Sequence, residues 1–583
     1  YSTMVFPAKA GNQEYKRMII YGFVFQHFKT LKTEVNFPMR ATINFRRRKL
    51  KVINRLRRNL AIITILFLIG ILSAPAIWAN PKDPKVVNGS AQFNTQGNTL
   101  TITNTPNAII NWKSFSIDAS ETTRFVQQNA ASAVLNRIKG QDPSVILGSL
   151  QSNGKVLLIN PNGIIFGQGS RVDVNGLVAS TLNISNEDFL AGKYNFNTGS
   201  VAGPIQNQGT ITTPTGGMVY LIAPDIENSG IISSPNGEVI LAAGHSVQLF
   251  DSLDPNIAVV VSAPKDKAVN LGKIIAESGT VGIYGGLINQ SGTISADSAV
   301  VGENGKVFLR ATRDVTLDEK SIISAKGGEI KILGGMEDGT VKVAGTLDAS
   351  APNGGDGGFI ETSAACVKVK DSTRISTLAP YGKTGTWLID PPDFTIAASG
   401  GDITGGELGT LLDSNNVTIH TESGTNSGTD RYGSSGTNGD IFINDTVNWS
   451  ANTLTLNAFR NIEINSTLNG SGTAKLALYY GQGTVASGNT ATYKINAPVN
   501  LTAGNNFSTK LGSDGTEIVY TVITSLGAQG STNGIDLQGM NGNLSGNYAL
   551  GSDIDASATS GWGSGTTAGF LPVGTAATPF TGI

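Results

Sequence analysis

The stretch "LLINPNGIIFG", Leu157–Gly167, reads as a strand, a four-residue turn and a strand. Asn160 precedes a proline, which biases its backbone to the extended region. Pro161 presets φ for the second position of a type I turn, Asn suits the first and third, and Gly the fourth. The flanking runs Val156–Ile159 and Ile164–Phe166 are apolar and of β type, rich in the β-branched and aromatic residues that strands prefer.

The phrase does not stand alone. "GKVLLINP" at Gly154 is followed by "GMVYLIAP" at Gly217, "GEVILAAG" at Gly237, "GTVGIYGG" at Gly279, "GKVFLRAT" at Gly305 and "GEIKILGG" at Gly328. Between them recurs a shorter phrase: "ENSGIISS", "NQSGTISA", "KVAGTLDA". A unit of roughly 20–25 residues holding short strands cannot bury its own apolar side, but it can when stacked on copies of itself. The fold expected is therefore all-β: an elongated right-handed parallel β-helix, or solenoid, with short insertions outside the coil. A leucine-rich repeat is disfavoured because its L-x-x-L-x-L-x-x-N spacing is absent. A propeller is disfavoured because the unit is too short and lacks a Trp-Asp signature. One insertion is expected at Ser185–Phe196, a short helical turn capped by Ser185 or Asn186 with acidic residues in its first turn.

Among 583 residues there are 72 glycines, one cysteine and three histidines, with a net charge of -1. That balance hides an asymmetry. Residues 1–79 hold 14 Lys+Arg and two Asp+Glu, against 28 and 41 in the remainder. The remainder thus offers no footprint for nucleic acid. The front reads as a secretory signal: a basic region at Phe45–Asn59, the apolar run Leu60–Leu72, and cleavage after Ala76 or Ala79. Met39 is its natural start, so the division expected is 1–38 upstream and 39–79 signal peptide. A single Cys in an exported chain excludes a disulfide framework. No hydrophobic run after residue 80 reaches membrane-spanning length.

Beyond the front, the divisions expected are 80–330 as an amino-terminal domain, 331–395 as continuing repeats, and 396–583 as Gly/Ser/Thr/Asn-rich distal β repeats. The last begins where the texture changes, near "GTWLIDPPDFTI". The chain stops inside a phrase, which reads as a fragment.

Catalysis finds little support. Asp251 with Asp254, and Asp390 with Asp393, flank prolines and turns, where Asp is ordinary. His27 lies in the front segment. His245 and His420 read as isolated, with no carboxylate or Cys at metal or triad spacing. "PNGGDGGF", Pro352–Phe359, is similar to a Ca²⁺-binding glycine-rich repeat but occurs once, and reads as a turn. Cys366 reads as a small buried hydrophobe. "TRDVTLDEKS" reads as a solvated charged edge. No catalytic residue, metal site or cofactor is expected.

Four phrases together carry a resemblance: "NAIINWKSFSI" (Asn107–Ile117), "TTRFVQQNAASAVLNRIKG" (Thr122–Gly140), "PSVILGSLQSNGKVLLINPNGIIFGQGSRVDVNGLVAST" (Pro143–Thr181) and "DFLAGKYNF" (Asp188–Phe196). In this order, across about 91–250, they resemble the amino-terminal secretion domain of filamentous-haemagglutinin-like exoproteins of two-partner secretion in Gram-negative bacteria. The resemblance implies that Asn160, Pro161, Asn162, Gly163 and Ile164 belong to the region required for export. Asn111, Trp112, Phe115, Asn136, Arg137 and Gly140 are further matching positions. It implies an outer-membrane β-barrel transporter with POTRA domains as partner, folding outside the cell, and a secreted or surface-held filamentous adhesin. The stalk of a contact-dependent toxin or haemolysin is the alternative, and a β-helical carbohydrate-active enzyme a more distant one. The receptor is unknown. The family's Asn-Pro-Asn-Leu motif is absent, and "NTPNAI", Asn104–Ile109, occupies a similar place. Asn160–Ile164 is either read by the transporter or nucleates the first rungs.

Overall fold

Several of the glycines that open the repeated phrases stack on a glycine one turn below. A Cβ at Gly237 would lie 2.2 Å from the carbonyl oxygen of Gly217, and one at Gly279 2.1 Å from that of Gly237. The column continues through Gly328 on Gly305, Gly358 on Gly328 and Gly385 on Gly358. No side chain fits at this corner, so the coil imposes glycine on the sequence at the interval of one turn.

The structure is a computed structural model that describes residues 80–199, 202–249, 259–262, 266–302, 304–423, 439–563 and 569–583. The expectations for residues 1–79, including Ala76, Ala79 and His27, and for Asp251 and Asp254, lie outside the described residues. Among the described residues no helix is long and apolar enough to cross a membrane.

The parallel β-helix expected from the repeats is the fold observed. Three parallel ladders form its faces. The first runs from Thr99–Asn104 through Ile231–Ser233 to Arg374–Ser376. The second starts at Ala108–Trp112, passes Met218–Ala223 and Thr386–Asp390, and reaches Gly504–Leu511. The third holds Ser144–Ile146, Ile164–Phe166, Ile205–Asn207 and, further on, Cys366–Val369. In-register pairing aligns identical positions of successive turns. Val219, Val239, Val281, Val307, Ile330, Ile360 and Trp387 form one interior column, all buried. Each such side chain contributes roughly 1.5–3 kcal/mol by leaving water.

The coil does not stop where the sequence changes texture near residue 395. Thr386–Asp390 pairs in parallel with Asn416–His420, which pairs with Thr453–Asn457 and then Lys475–Tyr480. In the first ladder the helix Gly405–Leu412 stands in for a strand, packed between Arg374–Ser376 and Val447–Trp449. Thr404 caps it by accepting a hydrogen bond from the Glu407 amide.

Two departures from the coil matter for function. At its start, Lys85–Asn88 and Ala91–Gln96 pair antiparallel with the first two coil strands. They cover strands that would otherwise present open edges. Outside the second ladder, Asn183–Ile184, Tyr194–Asn197, Ser246–Leu249 and Val259–Ser262 form an antiparallel sheet. The expected short helix, Asn186–Leu190, lies in it, with Ser185 as its cap. This sheet buries Phe196 and Val247 against Leu135, Leu157, Val178 and Ile222. The second ladder is thus buried on both faces there, so its strands read as unbroken apolar runs.

"TRDVTLDEKS" corrects its expectation. Its first half lies in the strand Lys306–Leu317, with Val315 and Leu317 in the core. Only the segment after Leu317 is a polar turn. Pro352–Phe359 is a turn region leading into the strand Phe359–Ser363, as expected.

Candidate functional site

Asn160–Gly163 is a closed turn between the second and third ladders. The Gly163 amide donates to the Asn160 carbonyl at 3.2 Å, and Gly163 sits at φ +118°, which suits glycine. Asn160 is fully buried, and its side chain is saturated. Its Nδ2 donates to the Asp142 carbonyl and to Ser144 Oγ, each at 3.0 Å. Its Oδ1 accepts from the amide and the Nδ2 of Asn162, again at 3.0 Å each. Asn162 Nδ2 also donates to the Gly140 carbonyl at 2.9 Å.

The turn is locked from the next rung as well. The Gly203 amide donates to the Pro161 carbonyl at 2.7 Å, and the Ile164 amide to the Pro204 carbonyl at 3.1 Å. A Cβ at Gly203 would lie 2.7 Å from the Asn162 carbonyl carbon. Ile164 points inward and is buried.

The other matching positions belong to the same body. Trp112 Nε1 donates to Asn136 Oδ1 at 2.9 Å, both buried, and Asn136 Nδ2 donates to the Leu157 carbonyl at 3.3 Å. Phe115 meets Trp112 edge-on at 5.6 Å and stacks with Phe125 at 6.4 Å. Gly140 leaves no room for a Cβ, which would lie 2.2 Å from the Lys113 carbonyl oxygen. Asn111 stands beside Arg137 in register, its Oδ1 buried without a hydrogen-bond partner. Arg137 reaches outward to the insertion and donates to Asn183 Oδ1, Asn186 Oδ1 and the Ile184 carbonyl at 3.1, 2.9 and 2.7 Å. Burial pushes its pKa down.

"NTPNAI" joins Thr99–Asn104 to Ala108–Trp112, with Asn107 at φ +58°. The Asn107 amide donates to the Ala133 carbonyl at 2.9 Å. Asp142, Ser144, Gly203 and Ser180, whose carbonyl accepts from the Asn160 amide at 2.9 Å, hold this turn and were not singled out in the sequence. Their signal is weak: a Ser before an apolar pair, and a Gly-Pro pair.

Other candidates change character. His245 Nδ1 lies 2.5 Å from Asp266 Oδ2, so that histidine is not isolated. Nor is His420, whose Nδ1 lies 3.2 Å from Asp390 Oδ1 with Glu422 close by. These residues are 30 and 32 positions apart, and only the stacking of turns joins them. Asp393 is separate in role, with Oδ1 accepting from the Asp440 amide. Cys366 is half-exposed rather than buried, because it opens its strand at the Gly339 corner.

Comparison with known proteins places these features. The family described as the TPS secretion domain matches residues 79–332. The chain is similar to the heme/hemopexin-binding protein of Haemophilus influenzae strain ATCC 51907 / DSM 11121 / KW20 / Rd, 43% identical over 105 residues, which is 18% of this chain and 12% of that protein. A second heme/hemopexin-binding protein of Haemophilus influenzae is 36% identical over 118 residues, 20% of this chain and 13% of that protein. The chain thus covers about an eighth of the length of these relatives. The crystal structure of the HMW1 secretion domain from Haemophilus influenzae superposes with a TM-score of 0.50 at 29% identity, covering 63% of this chain and 95% of that one. Residues 79–332 thus match the TPS secretion domain family, and these likenesses together support a two-partner secretion exoprotein.

Proposed function

We propose that residues 80–330 carry this chain out of the cell through a cognate outer-membrane β-barrel transporter with POTRA domains. The observation that carries this reading is the family match over 79–332, which falls on a capped coil containing the Asn160–Ile164 turn. In this reading the signal is removed near Ala76 or Ala79, and the coil forms outside. Residues 331–395 extend the shaft, residues 396–583 present its distal repeats, and the product serves as a filamentous adhesin at or beyond the cell surface.

Within the export domain, Asn160–Ile164 acts as a folding element. The reading rests on the saturation of Asn160: its side chain is spent on Asp142, Ser144 and Asn162, which leaves nothing to offer a partner. Asn111, Trp112, Phe115, Asn136, Arg137 and Gly140 complete the first rungs around it.

The test is secretion of the chain with and without the transporter, alongside Asn162→Ala and Gly163→Ala. Circular dichroism and urea unfolding of the purified variants supply the second axis. Loss of export together with loss of β-structure supports the folding role. Variants that fold normally yet stay in the periplasm would make the turn a recognition signal instead. Export that never needs the transporter would sink the two-partner reading.

A further inference from the structure

Outside the export domain, the second ladder assembles a group of metal-binding character. Asp390 ends one strand of the ladder and His420 ends the next, with Glu422 two residues further on. One ligand atom from each lies within 4.8 Å of the other two. The following rung sets Asn457 beside His420 in register.

One oxygen beside this group is left over. Asn457 Oδ1 is buried with no hydrogen-bond partner, and Asp390 Oδ1, also buried, faces His420 Nδ1 at 3.2 Å. That His420–Asp390 contact engages one carboxylate oxygen with one ring nitrogen and leaves the Asn457 oxygen unmet. A buried acceptor left unpaired is costly, so such atoms call for a ligand. The nearby guanidinium does not serve. Arg460 is held by both oxygens of Asp440, at 3.2 and 2.7 Å.

We propose that Asp390, His420 and Glu422 bind a divalent first-row metal ion of the zinc class, with Asn457 beside His420 on the next rung. Around such an ion, with bonds of about 2.0–2.2 Å, tetrahedral ligand atoms stand about 3.4 Å apart. The His420–Asp390 separation already matches this, and Glu422 closes the remainder by side-chain rotation. One imidazole nitrogen with carboxylate oxygens suits zinc and its neighbours, whereas Ca²⁺ and Mg²⁺ favour all-oxygen sets. Two carboxylates and a neutral imidazole also balance the charge of a divalent ion. The ion would tie two successive turns of the coil together on its outer surface. This inference is independent of the export reading.

The experiment uses the full chain, stripped with chelator and titrated with ZnCl₂ by calorimetry. Co²⁺ replaces zinc for a visible spectrum that reports a low-symmetry site. The expected result is one equivalent bound, abolished by His420→Gln and unchanged by His245→Gln. Glu422→Gln, at an exposed position that does not disturb the core, should weaken binding by at least about tenfold, the lower end of the loss seen even for outer-shell partners. A chain that binds no stoichiometric zinc, or whose binding survives both His420→Gln and Glu422→Gln with circular dichroism unchanged, would overturn the proposal. It would leave an ordinary His–Asp pair.

Discussion

Asn162 donates twice to Asn160: its amide and its Nδ2 both reach Asn160 Oδ1, each at 3.0 Å. The two asparagines of Asn-Pro-Asn-Gly therefore form one hydrogen-bonded unit, which the buried Asn160 anchors to Asp142 and Ser144. Replacing Asn160 by Ala strands these donors and acceptors inside the coil. The expected cost is about 3 kcal/mol, read from urea unfolding. Ser144→Ala, which removes one contact, should cost about 1 kcal/mol. Equal effects from the two variants would contradict this ranking.

The glycine corners make a second prediction. A Cβ at Gly272 would lie 2.1 Å from the Gly230 carbonyl oxygen, with the Ser229 and Gly230 backbone closing round it. Gly272→Ala should destabilise by about 3 kcal/mol, since the rungs cannot part without breaking ladder bonds. Gly406, in the helix Gly405–Leu412, has no atom within 4 Å of that position. Gly406→Ala should stabilise by about 0.5 kcal/mol. Thermal unfolding of the pair checks both signs.

Arg137 fixes the outer sheet to the coil through three hydrogen bonds. A lysine ammonium is a point charge and cannot span three acceptors as the planar guanidinium does. Arg137→Lys should cost about 1–2 kcal/mol and loosen the insertion locally. Hydrogen exchange is expected to quicken at 183–197 while the interior strands at 156–159 stay protected. Uniform exchange across both would mean that Arg137 does not act on the insertion.

Glu407 gives the coil a pH dependence. Its side chain is buried, Oε1 has no partner, and burial, followed by the charge of Asp371, pushes its carboxyl up to about 7 from 4.5. In that window the folded chain holds a proton that the unfolded chain has lost, so stability falls as pH rises from 4.5 to 7. Glu407→Gln should be more stable than the parent above pH 7, with the gap closing towards pH 4.5. Denaturant midpoints across the range test it, and a gap that widens on acidification would reverse the assignment.

What could be read in advance follows from what the coil demands of sequence. The phrases at Gly237, Gly279 and Gly328 were legible because each glycine abuts backbone at their shared corner, where a Cβ has no room. The Asn160 turn was legible because each residue satisfies its own backbone position. Past the change of texture near 395 the coil continues. The interior column needs only alternate apolar residues, such as Val417, Leu454 and Leu476, and is indifferent to the Ser, Thr and Asn outside it. In the phrases "ENSGIISS" and "NQSGTISA" the amides of Asn228 and Gln290 face inward. Asn207 donates to Asn228, Asn228 to Asn270 and Asn270 to Gln290, at 2.7, 2.8 and 2.9 Å, all buried. A buried amide is satisfied there by its copy one turn away, a partner that no local pattern reveals. Asp390, His420 and Glu422 were illegible for the same reason: a whole turn, including a helix, separates them along the chain.

The antiparallel strands Lys85–Asn88 and Ala91–Gln96 give the coil a direction. A covered end accepts no further strand, so turns can be added only at the opposite edge. Each new strand finds its template one turn back in the chain, as Asn228 finds Asn207 21 residues earlier. The loop to be closed at each step is short, and its entropic cost is small and constant. A protein made almost wholly of sheet is therefore, kinetically, a local folder. It works as a one-way zip: a chain delivered amino terminus first can finish each turn before the next one arrives.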